Sequence, residues 1–182
     1  ANSGAVLLAT AGGAVFAQDA NHAHHAAHHA HMHGAPKAGL IAAAADCSAK
    51  GQVCVAHCLV LLADGDKAMA ACAQSVSQTI ALCNALESLA ASHIHLDAMR
   101  LRAFPFPPSV AEFIAAHEKV FVVEQNRDAQ LRTLMMTELG INPAQLLPIL
   151  HYDGTPITAR FIVDQITKHI SAHSVVPLKK AS

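Results

Sequence analysis

The sequence predicts a mixed fold, a cysteine-lined α-helical hairpin followed by a small α/β segment built on a three-stranded parallel sheet. Three observations predict it. All five cysteines fall between Cys47 and Cys83, at helical spacings. Aromatics and prolines are nearly absent before Asp97 and then arrive together in Phe104-Pro105-Phe106-Pro107-Pro108. After that break, β-branched runs alternate with amphipathic stretches, as strands and crossover helices do.

The first segment, residues 1–17, contains an uncharged apolar run from Gly4 to Ala17, and Val15-Phe16-Ala17 has the small-x-small form of a signal-peptidase site before Gln18. Because residue 1 is Ala, it reads as an export signal without its front end, and it places the protein outside the cytoplasm, in a periplasm-like compartment. No other stretch approaches the roughly 20 apolar residues of a membrane span, so none is expected in the mature chain. Residues 18–36 form a linker in which His22, His24, His25, His28, His29, His31 and His33 crowd together beside Met32. Such a stretch is a solvated linker that can also capture copper or zinc.

The hairpin occupies residues 37–98. Ala38 to Ala63 carries apolar residues at helical spacing, Asp64-Gly65-Asp66 supplies turn chemistry and a cap, and a second helix runs to about Ala91. At about 100° per residue, offsets of seven and eleven positions bring a side chain back to within about 20° of its starting direction. Cys47, Cys54 and Cys58 therefore share one face of the first helix, and Cys72 and Cys83 one face of the second. Two helices bury too little surface to stand alone. The hairpin calls for further helices, a second copy in a homo-oligomer, a metal, or the tail as a partner.

The tail, residues 99–182, reads as β-α-β-α-β-α. The expected elements are a short strand at Leu101–Phe106, a helix capped by Ser109 and running to about His117, and a buried strand at Val120–Glu124. They continue with a helix from about Arg127 to Leu139 ended by Gly140, a strand around Leu147–Tyr152, and an amphipathic helix from Thr158 to about His173.

Net charge is −1, and no Lys/Arg patch with interleaved aromatics occurs, which argues against nucleic acid or an anionic membrane surface as a partner. The cysteines carry the chemistry. Thiolate is the soft ligand that selects Cu(I) or Zn(II), and Cys54 and Cys58 at i, i+4 let one helix offer two sulfurs to one ion. Structural zinc favours tight CxxC pairs on loops, which this chain lacks, whereas Cu(I) accepts few-coordinate thiolate sites. Ordinary core packing, disulfides in an exported protein, and redox catalysis are the competing uses of these residues. His57 beside Cys58, and Met69 one turn before Cys72, could flank the mouth of a copper site.

The stretch DCSAKGQVCVAHCLVLLADGDKAMAACAQSVSQTIALCNALESLAA resembles the first half of the exported copper storage proteins. These are four-helix bundles whose interior is lined by cysteines holding Cu(I). The resemblance covers about residues 1–98 and implies that the hairpin is half of such a bundle. It also implies Cu(I) binding at Cys47, Cys54, Cys58, Cys72 and Cys83, with His57 and Met69 at the mouth. The pattern stops after Ala98, where the family has two more helices carrying further cysteines. A truncated bundle would hold only a few copper ions unless two chains paired their hairpins.

In the tail, Glu124-Gln125-Asn126-Arg127-Asp128 follows a strand and opens a helix, a place where α/β proteins bind ligands. Capping by Asn126 and Asp128 with a surface ion pair from Arg127 is the simpler reading. Asp153-Gly154 reads as a turn, and His117 and His151 as surface or packing histidines. VFVVEQNRDAQLRTLMMTELGINPAQLLPILHYDGTPITARFIVDQI resembles the carboxyl-terminal part of the alpha subunit of 2-oxoacid:ferredoxin oxidoreductases, most like the 2-oxoglutarate type, over about residues 100–172. That resemblance implies a helix-covered sheet engaged in subunit packing in the cytoplasm. The family's thiamine diphosphate and iron-sulfur regions have no counterpart here, so no complete catalytic set and no enzyme activity is expected. The sequence thus points to Cu(I) sequestration by the hairpin, fused to a non-catalytic α/β remnant. The alternative is an oxidoreductase-subunit fragment acting in assembly.

Overall fold

A computed structural model describes the backbone of residues 4–9 and 38–174, with side chains from residue 38 to residue 172. The His-rich linker, Met32 and the remainder of the apolar run lie outside the described residues. The chain is mixed α/β and mostly helical. In order, its elements are β1 (Gly4–Ala9), α1 (Ala38–Ala63), α2 (Met69–Ala91), β2 (Leu96–Leu101), α3 (Pro108–Ala115), β3 (Lys119–Glu124), α4 (Gln130–Leu139), β4 (Leu146–Leu150) and α5 (Ala159–Ser174).

The helical hairpin forms as the spacing predicts. Gly65, at φ 95°, makes the left-handed step that ends α1, and the Asp66 carboxylate accepts the Ala68 amide at 3.1 Å on the way into α2. The strands form one parallel sheet in the order β2-β1-β3-β4. Its central strand β3 is the continuous apolar run Val120-Phe121-Val122-Val123, buried on both sides. Alternation then sorts its side chains. Phe121 and Val123 face α2 and α5, packing with Leu86, Leu89, Ile162 and Ile166. Val120 and Val122 face α3 and α4, packing with Val110, Ile114 and Met135. Helices on both faces of a parallel sheet make the arrangement doubly wound. Pro148 is tolerated because β4 is an edge strand.

Three expectations are corrected. The sheet has four strands where three were expected, because Gly4–Ala9 pairs with both β2 and β3, Val6 lying opposite Ala98 on one side and Phe121 on the other. The segment read as the start of an export signal is, in this structure, a sheet strand. A single molecule cannot both lose residues 1–17 and keep β1. Next, the first strand of the tail lies at Leu96–Leu101 rather than Leu101–Phe106, since three prolines within Phe104–Pro108 remove ladder donors and restrict the residues before them. Finally, α4 begins at Gln130 rather than near Arg127, because Ala129 sits at φ 50°, outside the right-handed helical region.

Hairpin and tail share a core. α2 packs on α5 and the sheet through Ala81, Leu82, Ala85, Leu86 and Leu89, so its far side is already covered and does not present an open half-bundle. α1 is the outermost layer. Only Ala44, Ser48 and Cys58 are buried on it, while Val53, Leu59 and Val60 are exposed.

Candidate metal centre

α1 and α2 run antiparallel and meet closely where Gly51 faces Ile80. A Cβ at residue 51 would lie 2.7 Å from Ile80 Cγ1. The pair is pinned nearby by the Ser48 hydroxyl, which donates to Asn84 Oδ1 at 2.7 Å. In this register Cys58 meets Cys72 near the hairpin turn, and Cys47 meets Cys83 at the other end.

The thiol sulfurs of Cys54, Cys58 and Cys72 all lie within 4.8 Å of one another. Cys54 and Cys58 come from successive turns of α1, and Cys72 from the first turn of α2, so the group closes only because the two helices pack. Cys58 is buried, Cys54 half-buried and Cys72 exposed, which leaves the group open on one side. Burial pushes the Cys58 thiol up to about 11, and hydrogen bonding and charge interaction with Cys72 and Cys54 push in the same direction. A proton held this firmly must be displaced by any cation that binds, and a soft ion that forms strong bonds to sulfur can displace it.

Cys47 and Cys83 make a second, separate pair. The Cys83 thiol is pushed up to about 12 by burial, by its hydrogen bond with Cys47 and by the charge of Glu87, while Arg100 pulls it down. Eleven residues separate Cys47 from Cys58 and Cys72 from Cys83, which at about 1.5 Å per residue is roughly 16 Å along the axis. One metal ion cannot span that gap. All five thiols are free.

His57 is exposed on α1, turned about 100° round the helix from Cys58, and is not in the three-thiol group. Met69 is half-buried at the first position of α2, one turn before Cys72.

The carboxyl ends of β3 and β4 hold a cleft of about 520 Å³ lined by Gln74, Gln78, Gln125, Tyr152 and Thr155. Glu124, the last residue of β3, is 1% exposed and serves the backbone. It accepts the amides of Leu131 at 2.7 Å and Arg132 at 3.1 Å and the Asn126 side-chain amide at 2.8 Å, fixing the entry to α4. The capping expected of Asn126 is present at 3.3 Å to the Gln130 amide, and Arg127 pairs with Asp128 at 2.9 Å. Sequence reasoning singled out the stretch from Glu124 to Asp128 but gave the capping to Asn126 and Asp128, missing that Glu124 itself accepts the helix amides. His117 is buried between the Phe113 carbonyl, 2.6 Å from Nδ1, and Asp97, 2.9 Å from Nε2. His151 is buried edge-on against Phe161. Asp153 accepts the backbone amide and the hydroxyl of Thr155, and these bonds hold its carboxyl below the usual range.

No protein-family model, no curated protein sequence and no solved structure is significantly similar to this chain.

Proposed function

We propose that the helical hairpin binds Cu(I) through thiolates and so sequesters copper. The observation that carries this reading is the convergence of the Cys54, Cys58 and Cys72 sulfurs to within 4.8 Å of one another. Thiolate-only surroundings and three close sulfurs suit a soft ion better than a hard one. Cys47 and Cys83 add a two-sulfur site further along the hairpin, and Met69, one turn before Cys72, serves at the edge of the three-thiol group. A second copy of the hairpin could complete a bundle around the exposed face of α1. Competition of reduced protein against a Cu(I) chelator tests the reading. Cys→Ala at positions 54, 58 and 72 is expected to lower the copper bound, and unchanged stoichiometry would reject it.

A second reading is that residues 99–182, which contribute β3 and β4 to the helix-covered parallel sheet, act as an assembly module of a 2-oxoacid:ferredoxin oxidoreductase in the cytoplasm. Co-purification with the beta subunit of such an enzyme would support it.

A further inference from the structure

We infer that the Cys54, Cys58 and Cys72 group is also a condensation site for trivalent arsenic oxyacids, which it takes up as a neutral three-sulfur pyramid. This rests on the proposed soft-metal reading of the same thiols and extends it to a different class of ligand.

The first argument is ligand number. Two sulfurs come from successive turns of α1 and one from the facing turn of α2, and among the described His, Cys, Asp and Glu side chains these three, with no fourth, close to within 4.8 Å. Tetrahedral ions such as zinc want four. Trivalent arsenic forms three bonds to sulfur and keeps a lone pair where a fourth ligand would sit, so three converging thiols complete its shell.

The second argument is charge. Three thiolates around Cu(I) leave two net negative charges, and around Zn(II) one. One turn from Cys54 and Cys58 on α1 lie Lys50, Gly51, Val55, His57, Leu61 and Leu62, and one turn from Cys72 on α2 lie Ala68, Met69, Ser75 and Val76; the one charged side chain among them, Lys50, is exposed and pairs with Asp46 at 2.7 Å. Cys58 is buried, and an uncompensated charge is costly there. Trivalent arsenic bound to three thiolates is neutral.

The chemistry balances without a further reagent. Arsenous acid, As(OH)3, meets three protonated thiols. Three arsenic-oxygen bonds break, three arsenic-sulfur bonds form, and each thiol proton leaves on a hydroxyl as water. Arsenic remains trivalent and nothing is oxidised. Entry is through the open side, where Cys72 is exposed. The Cys47 and Cys83 pair offers two sulfurs and cannot close the same pyramid, which makes it an internal control.

The experiment exposes the reduced full-length chain to arsenite, desalts it, and measures arsenic content and intact mass, with a parallel Cu(I) titration. Circular dichroism verifies folding of each variant, and Cys72→Ser, at an exposed position, is the variant least able to disturb the core. The expected result is one arsenic per chain, with a mass gain of one arsenic less three hydrogens. That gain is expected to be lost in Cys54→Ser, Cys58→Ser and Cys72→Ser and kept in Cys47→Ser and Cys83→Ser. Retention of arsenic in folded Cys72→Ser, or its loss in folded Cys47→Ser, would overturn the inference. Copper bound at the three thiols with no arsenic retained would overturn it while leaving the copper reading intact. Failure of both would remove both.

Discussion

Substitution of Gly51 tests how far the three-thiol group depends on helix packing. A Cβ at this position would sit 2.7 Å from Ile80 Cγ1 and 3.1 Å from Ile80 Cδ1, and the first of these is 0.7 Å short of an ordinary 3.4 Å contact. For Gly51→Ala, the gain in helix propensity is about 1 kcal/mol, and overpacking costs about 1 to 3 kcal/mol, so the expected net is a loss of about 0 to 2 kcal/mol. Gly51→Val adds two further methyls to a Cβ that already overlaps Ile80 and is expected to push α1 away from α2. Cys54 and Cys58 move together because they share a helix, whereas Cys72 is left behind on the other. A three-sulfur site then becomes a two-sulfur site. Urea unfolding gives the stability change, and chelator competition with reduced protein gives the copper affinity. The expected result is a modest stability loss for Gly51→Ala with copper binding largely kept. For Gly51→Val in a chain that remains folded, copper affinity is expected to fall at least tenfold. A folded Gly51→Val protein with undiminished copper affinity would refute the claim that this close approach assembles the site.

Other outcomes follow from the same structure. Glu124→Ala removes the acceptor for two helix amides and one side-chain amide at a site 1% exposed, so a loss of about 2 to 4 kcal/mol is expected in urea unfolding. Cys58 and Cys83 hold their protons more tightly when folded, at about 11 and about 12, than at the ordinary value of 9.0. A raised folded pKa makes the folded chain bind more protons, so this stability is present below pH 9 and lost as pH rises toward 11 and 12. Thermal melts under reductant from pH 8 upward should show that alkaline decline, and Cys58→Ala with Cys83→Ala should flatten it. Deleting residues 1–9 removes the strand between β2 and β3, and cooperative unfolding of the α/β part should be lost in calorimetry.

Much of this architecture was legible in the residues. The bounds of α1 follow from apolar spacing and from Asp64-Gly65-Asp66, and Gly140, at φ 64°, ends α4 where a glycine after an amphipathic run should. β3 follows from Val120-Phe121-Val122-Val123. β1 was not legible as a strand, because a short continuous apolar run has the same pattern in a signal segment and in a buried strand. β2 was hidden by Asp97 and Arg100, charged residues that an edge strand accommodates once His117 and Ser75 supply partners at 2.9 Å and 2.7 Å. Within the site, periodicity gave the direction of each thiol but not which thiols of the two helices face one another. The five cysteines therefore read as two faces, one per helix, whereas the packed helices regroup them as Cys54, Cys58 and Cys72 at one end and Cys47 with Cys83 at the other. Which thiols meet was settled by the register of the two helices, and Gly51 against Ile80 is the contact that permits that close approach.

X-ray absorption at the copper edge tests the central claim most directly, on reduced protein carrying Cys47→Ser and Cys83→Ser and loaded with one equivalent of Cu(I). The account requires a shell of sulfur alone, supplied by Cys54, Cys58 and Cys72, with copper retained through desalting. A shell of nitrogen or oxygen, or copper lost in desalting, would contradict it.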